Sequence, residues 1–456
     1  MLRSTRWTLL AGILLLALAG CKKEAGIKDI KGQTNSLAAA NTDQLHGHLK
    51  QANTYSSEVA FKWIDMQLRL FRTNTPFIGG LPPHRYFAYS AIALYESVVP
   101  GMPSYQTLSG QLTDMPAMPR TTPGFAYHWP TCANAALAAM NRDFFPNTSA
   151  ANKAAIDSLE NVLNNAYKAG VSDDEFQRSV QFGKSIAQLI FDWSKTDGAA
   201  NANAPYTPPV GLGLWVPTPP AFAAPFGPYW GNNRLMVQGS LDGSAPPPPP
   251  AYSTDPSSDF YLMVNDVYNV SQTLTPAQIA TALYFRDNPG YGGGHYLSIL
   301  KGILQQENPQ LDFTAMVFAK TSIGIVDAGI GCWQTKYQYN IERPITYIRG
   351  VLGHSTWGPL FPTPAFPEYT SGHCTIAGVF SEILTSIFGA NYHFTNHTYD
   401  YLGMAPRSYN SFHDFELDIS DARVFAGIHY RNSCVRAVTQ GEIIGQNILN
   451  KLKFKK

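Results

Sequence analysis

Residues 366–378 read FPEYTSGHCTIAG, and the fold turns on how the middle of that run is understood. Ser371-Gly372-His373 stands just ahead of HCTIAGVFSEILTSIFG, whose apolar residues recur three or four apart, the spacing of a buried helix face. One reading makes Ser371 an ordinary helix cap. The other makes the run a seat for a tetrahedral oxyanion. The free N–H groups and positive dipole end of a helix start attract an anion, Gly372 lets the backbone come close, and His373 can move a proton. A cap alone needs neither Gly372 nor His373.

Working outward, most of the chain carries the same helical period. SSEVAFKWIDMQLRLFR, HRYFAYSAIALYESVV, NAALAAMNRDFF, SANKAAIDSLENVLNNAYKAG and DDEFQRSVQFGKSIAQLIFDWSK precede the excursion described below. TPAQIATALYFRDN, HYLSILKGILQQE and DFTAMVFAKTSIGIVDAGIGCWQTKYQYNIE follow it, with a last helical stretch from about Asp421. Ser172 or Asp173 and Thr275 are the expected caps, and Gly170 an expected stop. Alternating strand patterns are nearly absent, so the expected fold is all-α, a multi-helix bundle. The glycine-rich NPGYGGGHY lacks the strand-then-helix setting of a phosphate loop.

Residues 201–256 break the pattern. They are full of Pro and Gly, including Pro246 to Pro250, and read as a long ordered excursion lined with Trp215, Phe222, Phe226, Tyr229 and Trp230. The chain thus divides into 1–20, an export leader; 21–50, a polar tether; 51–200, a helical region; 201–270, the Pro/Gly/aromatic excursion; and 271–456, a second helical region.

At 456 residues the chain can bury one large core or two ordinary ones, and 45% hydrophobic against 14% charged residues is a globular balance. A net charge of +1 argues against nucleic acid as a partner. Arg3 and Arg6 precede a short apolar run from Trp7 to Ala19, the pattern of a secretory signal. Leu18-Ala19-Gly20-Cys21 resembles the bacterial lipobox, which implies acylation at Cys21, no transmembrane segment, and a protein exported and lipid-anchored in the bacterial cell envelope, facing periplasm or exterior. The other cysteines, Cys132, Cys332, Cys374 and Cys434, allow three pairings among which the sequence does not choose. No CxxC pair marks a zinc cluster.

Two further segments carry chemistry. KYQYNIERP places Lys336 and Arg343 seven apart, two turns of a helix, so a continuous helix would put both cations near one face. Pro344 is expected to end that helix. SDARVFAGIHYRNS places Arg423 six before His429, roughly 120° apart on a helix, so convergence needs a bend. Each alone is unremarkable: a salt-bridged surface helix, a structural histidine. Together, two guanidinium forks, an ammonium, a hydroxyl, backbone N–H groups and two imidazoles are what a multiply charged oxyanion requires.

Lys-x6-Arg-Pro, Ser-Gly-His and Arg-x5-His, in that order, resemble the superfamily of type 2 phosphatidic acid phosphatases and vanadium-dependent haloperoxidases, over roughly Ile279 to the C-terminus. DAGIGCWQTKYQYNIERP, with Trp333 three before the lysine, and FPEYTSGH, with Phe366 five before the serine, resemble the peroxidase branch. LYFRDNPG resembles a segment whose aspartate, here Asp287, helps position an arginine and a histidine. The resemblance implies vanadate as cofactor, with phosphate able to occupy the same site. Lys336, Arg343, Ser371, Gly372 and Arg423 would hold its oxygens, His429 would be the axial vanadium ligand, and His373 the acid–base group. Lys336 would also polarise bound peroxide. The implied reaction is oxidation of halide by hydrogen peroxide to hypohalous acid, which halogenates small organic acceptors. Phe366 is the residue that chloroperoxidases often carry there.

Two positions depart from the pattern. Thr370 replaces a usual proline. Ser433 stands where an aspartate normally orients the axial histidine, a loss that weighs against nucleophilic phosphatase chemistry. The alternatives are a vanadate-inhibited acid phosphatase of the same superfamily, and a glycan-binding surface lipoprotein using the aromatic excursion for sugar stacking.

Overall fold

The computed structural model describes residues 50–456; the signal, lipobox and Cys21 lie outside the described residues. Among the described residues the chain forms thirteen α-helices and one short hairpin. In order these are α1 (Glu58–Thr73), α2 (Pro82–Val98), α3 (Trp129–Phe144), α4 (Ala150–Lys168), α5 (Asp173–Ser194), α6 (Asp259–Gln272), α7 (Pro276–Tyr284), α8 (His295–Glu307), α9 (Leu311–Tyr339), α10 (Pro344–Gly350) and α11 (Gly372–Phe388). Strands β1 (Phe394–Asn396) and β2 (Arg407–Tyr409) pair antiparallel, and α12 (Phe412–Phe425) and α13 (Arg431–Lys451) complete the chain.

Local signals fix several ends. The Ser172 hydroxyl accepts from Glu175 N at the start of α5, and Thr275 forms a full capping box with Gln278 at the start of α7. Helix α9 is apolar on nearly every side. It is long and apolar enough to cross a membrane, but 89% of its most apolar stretch is buried inside the protein, so it is the central core helix. Helix α2 packs on one part of it and α11 on another. Helix α11 in turn lies against α13 with their backbones touching: a Cβ on Gly378 would sit 2.3 Å from Val438 O, and one on Gly441 2.1 Å from Thr375 O. That close crossing brings the starts of α11 and α13 to one place.

Several expectations are revised. The helix read from residue 312 onward stops at Tyr339, where Asn340 adopts a left-handed conformation, φ 49°. Arg343 is therefore not on α9 at all; it caps α10, and the seven-residue facing argument does not apply. The C-terminal helical stretch is two helices broken at residues 426–430, with Gly427 at φ +76°. Helix α6 lies inside the segment assigned to the excursion. The hairpin was missed because three-residue strands are too short for a period to register.

The excursion is held to the body by specific bonds. Trp215 and Trp230 are buried, whereas Phe222 is exposed. Trp215 N donates to Asn340 O at 2.7 Å. Asp327, buried in mid-α9, accepts from Met236 N at 2.7 Å and Val237 N at 3.0 Å, and burial pushes its carboxyl up to about 7. Asp327→Ala would leave two buried N–H groups without an acceptor. We expect a loss of about 2–4 kcal/mol, measured as a lower urea midpoint.

Candidate active site

Four separate pieces of chain meet at one cavity of about 270 Å³. The start of α11 brings Ser371, Gly372 and His373; the turn after α9 brings Arg343; the end of α12 brings Arg423; the elbow between α12 and α13 brings His429. Gly372, His373, Arg423 and His429 line the cavity. Lys336, Arg343 and Ser371 lie fully buried among them.

Ser371 answers the opening question. It holds the N-cap position of α11, yet its side chain makes no capping bond, and its buried Oγ has no partner. It is not working as a cap. Arg343 Nη2 and Arg423 Nε are likewise buried and unpaired. Arg343 Nε donates to Phe366 O at 2.9 Å and Nη1 to Ile428 O at 2.9 Å, while Arg423 Nη1 donates to Phe285 O at 2.6 Å. Each guanidinium is thus clamped at one edge with a donor to spare. Such orphaned donors are costly unless an anion takes them. Burial lowers the Arg343 pKa to about 10 and that of Arg423 below its usual value, but both remain cations.

His429 is the candidate ligand. Its Nδ1–H donates to Glu368 Oε1 at 2.7 Å, which fixes the tautomer and leaves Nε2 with a lone pair. That Nε2 is 3.3 Å from Arg343 Nη1. Burial, with Arg343 and Lys336 nearby, holds His429 well below its ordinary pKa, so it is neutral and able to ligate. Arg343, Arg423 and His429 are therefore gathered, not scattered.

Glu368 is the functional residue that sequence reasoning missed. The missing aspartate at Ser433 suggested an unsupported imidazole; a buried glutamate three residues before Ser371 supplies the carboxylate instead. Glu368 Oε1 also accepts from Tyr430 N at 3.1 Å, and the Ser433 hydroxyl adjoins it closely enough to lower its pKa. Burial still raises Glu368 to about 7 against the pull of Arg343 and Lys336. The signal was in view, in FPEYTSGH, but nothing in one-dimensional spacing ties residue 368 to residue 429.

Lys336 differs from expectation in its contacts. Its ammonium donates to Pro367 O at 3.0 Å, Glu368 O at 2.9 Å and Thr370 O, which uses all three protons. It braces the turn before α11 and adds charge to the cradle from beneath; burial lowers its pKa to about 8. Trp333 and Phe366 pack near it at a tilt of 53°, with ring centroids 4.9 Å apart, and Phe366 lies under both Lys336 and Arg343.

His373 faces Asp287, with Nε2 to Oδ1 at 3.2 Å. Burial and Arg423 lower the His373 pKa, while Asp287 pulls it back up. Asp287 itself is held well below the usual carboxylate range because His373 and Arg423 outweigh its burial. Asp287→Asn removes the raising influence, so the His373 pKa falls further. The acidic limb of the kcat/KM profile should move to lower pH, with a rate loss of about ten- to a hundred-fold, read from halide oxidation across pH.

The four cysteines among the described residues, Cys132, Cys332, Cys374 and Cys434, are buried free thiols.

The donor set suits vanadate: three cations, unpaired N–H and O–H donors, a helix start and a neutral imidazole lone pair around one centre. Residues 316–455 match the family model of the VCPO second helical-bundle domain. The chain is similar in structure to a bacterial vanadium-dependent iodoperoxidase, 29% identical, with a TM-score of 0.80 over 88% of this chain and 98% of that one. It shares its fold, at 14% identity, with bacterial vanadium-dependent chloroperoxidases in apo form (TM-score 0.63, 83% and 96% covered) and holo form (TM-score 0.59, 89% and 94% covered). A search of curated proteins by sequence matched none. In fold, and in the residues gathered at its site, this chain resembles the vanadium haloperoxidases. Within that class, its likeness to the iodoperoxidase extends over nearly the whole of both chains.

Proposed function

We propose that the protein oxidises halide with hydrogen peroxide, using vanadate held in this cradle, to give hypohalous acid that halogenates organic acceptors. One observation supports the reading above others: buried, unpaired donors on Arg343, Arg423 and Ser371 gather around His429, whose Nε2 lone pair meets only a long 3.3 Å contact from Arg343 Nη1. Bound vanadate supplies Lewis acidity toward peroxide. The chain does the rest. His429 Nε2 would ligate, Arg343, Arg423, Ser371 Oγ and the Gly372 N–H would hold oxygens, and Lys336 keeps the turn rigid and positive. His373, beside Asp287, would hold or move a proton at the edge of the cradle where peroxide would bind. The apolar wall of Trp333, Phe366 and Phe226 limits water around the reacting oxygens.

Glu368 removes the argument from Ser433 against phosphatase chemistry, so the test includes that arm. Full-length protein with orthovanadate and peroxide should oxidise iodide, the most easily oxidised of the three halides, ahead of bromide and chloride. Cleavage of a phosphomonoester without any halide oxidation would overturn the reading. The glycan-binding alternative loses most of its platform, because Trp215 and Trp230 are buried in the body and only Phe222 of the five aromatic side chains is exposed.

The lipobox at Leu18–Cys21 supports anchoring of an exported protein through acylated Cys21. Cys21→Ala should move the protein from the membrane pellet to the soluble envelope fraction; an unchanged pellet would refute the anchor.

A further inference from the structure

The cavity is deeper than an oxyanion and a halide require. Beyond the cradle, its walls are Phe226, Phe285, Tyr296, Trp333 and Phe366 on the aromatic sides, and Gly79, Gly80, Gly292 and Gly293 on the backbone side. The glycine run that the sequence left without a purpose is accounted for here. A Cβ on Gly293 would fall 2.7 Å from His84 Nε2, and one on Gly292 3.1 Å from Gly79 Cα, so only glycine lets this loop lie against the start of α2. His84, in the first turn of α2, is the polar side chain set in that wall.

His84 is 5% exposed, and neither ring nitrogen has a hydrogen-bond partner of good geometry. Burial lowers its pKa to about 4, so the ring is neutral, with one N–H and one lone pair. The backbone of Gly293 lies within reach and can serve one nitrogen. The other has no hydrogen-bond partner. His295, the other histidine of this wall beyond the cradle, differs: its Nε2 is occupied by Asn396 Nδ2 at 2.8 Å. A buried polar group left in this state calls for a ligand to complete it.

Charge narrows what that ligand is. Asp287 acts electrostatically on His84, and its carboxyl stays ionised. A halide seated at His84 would face that negative charge, and it could only accept hydrogen bonds. A neutral ligand with an O–H meets neither objection. The aromatic and glycine walls add flat apolar surface, and the 270 Å³ that they share with the cradle limits the ligand to a single small ring. We infer that this wall binds the organic acceptor, a phenol or a ring of like chemistry, with its hydroxyl on His84 and its face against the aromatic side.

This rests on the haloperoxidase reading and gives it a substrate class: halogenation of a bound ring, not only release of hypohalous acid into solution. The balance is that of aromatic substitution. Halide loses two electrons to the peroxide O–O bond, and a carbon–halogen bond replaces a ring C–H. The peroxide oxygens leave as two waters, carrying their own protons, the ring proton and one proton from solvent. His84 is a binding residue; accepting the phenolic hydrogen bond also enriches the ring for electrophilic attack.

The test is calorimetric titration of the full chain, without added vanadate, with phenol and with anisole, which has the same ring and no O–H. Wild type should bind phenol about ten-fold more tightly. His84→Phe, which keeps the ring volume, should bind the two equally, and His84→Gln should restore part of the preference. Equal wild-type affinity for both ligands, or a preference that survives in His84→Phe, would overturn the inference. The wild-type comparison needs no variant, so a poorly folded His84→Phe does not remove the test. Because binding is read without vanadate, a phenol preference alongside failed iodide oxidation would sink the haloperoxidase reading alone. Iodide oxidation without a phenol preference would sink this one alone.

Discussion

Glu368→Gln is expected to weaken vanadate binding by about ten- to a hundred-fold while leaving phosphate binding equal or tighter. The two oxyanions separate two effects of one side chain. Vanadate gains a bond from His429 Nε2, and that nitrogen is aimed and made basic by the 2.7 Å hydrogen bond from Nδ1–H to Glu368. Glutamine fills the same volume but offers a neutral oxygen, or, turned over, an amide that competes for the wrong tautomer. Phosphate forms no such axial bond in simple binding and responds to charge alone. Removing a carboxylate from beside Arg343 and Lys336 raises the positive potential that phosphate sees. Equilibrium titration with each anion, in wild type and variant, checks the opposite signs. Parallel losses would mean that Glu368 merely holds the turn together.

Arg343→Met is expected to give the contrasting pattern, with both anions weakened by about ten- to a hundred-fold. The guanidinium is fully buried, clamped by Phe366 O and Ile428 O, and keeps Nη2 unpaired. Methionine keeps the apolar stem over Phe366 and removes the charge together with that donor. The loss should appear in any tetrahedral oxyanion, because it concerns the oxygens and not the central atom. Competition of phosphate against vanadate would show an unchanged ratio in Arg343→Met and a shifted ratio in Glu368→Gln. If Arg343→Met bound both anions as wild type does, the guanidinium would be a structural brace only.

How far the site was readable depended on how local each signal was. Ser371-Gly372-His373 is contiguous, and a helix start is a local event, so the run could be understood where it stood. Arg423 and His429 demanded a bend, which Gly427 and the break at residues 426–430 provide. The facing of Lys336 and Arg343 was reached by the wrong route. They converge because α9 ends at Tyr339 and the chain turns back through Asn340, not because they share a helix face. Three-dimensional partnerships were invisible. Glu368 replaces an aspartate expected 65 positions later, at Ser433, because chain folding, not spacing, brings the start of α11 beside the elbow. His84 lies in the N-terminal helical region, outside the matched domain, and only the packing of α2 against the glycine loop puts it in the wall. The helical content was legible from periodicity, while α6 was obscured by the Pro- and Gly-rich run that leads into it.

The central claim is that one positively lined nest holds a vanadium oxo-group through His429. Titration of the full chain with orthovanadate, followed by vanadium-51 NMR, reads it directly. The expected result is one bound vanadate per chain, displaced by excess phosphate and lost in His429→Ala while phosphate binding persists. Vanadate binding that is undiminished in His429→Ala, or no saturable binding to the wild type, would contradict it.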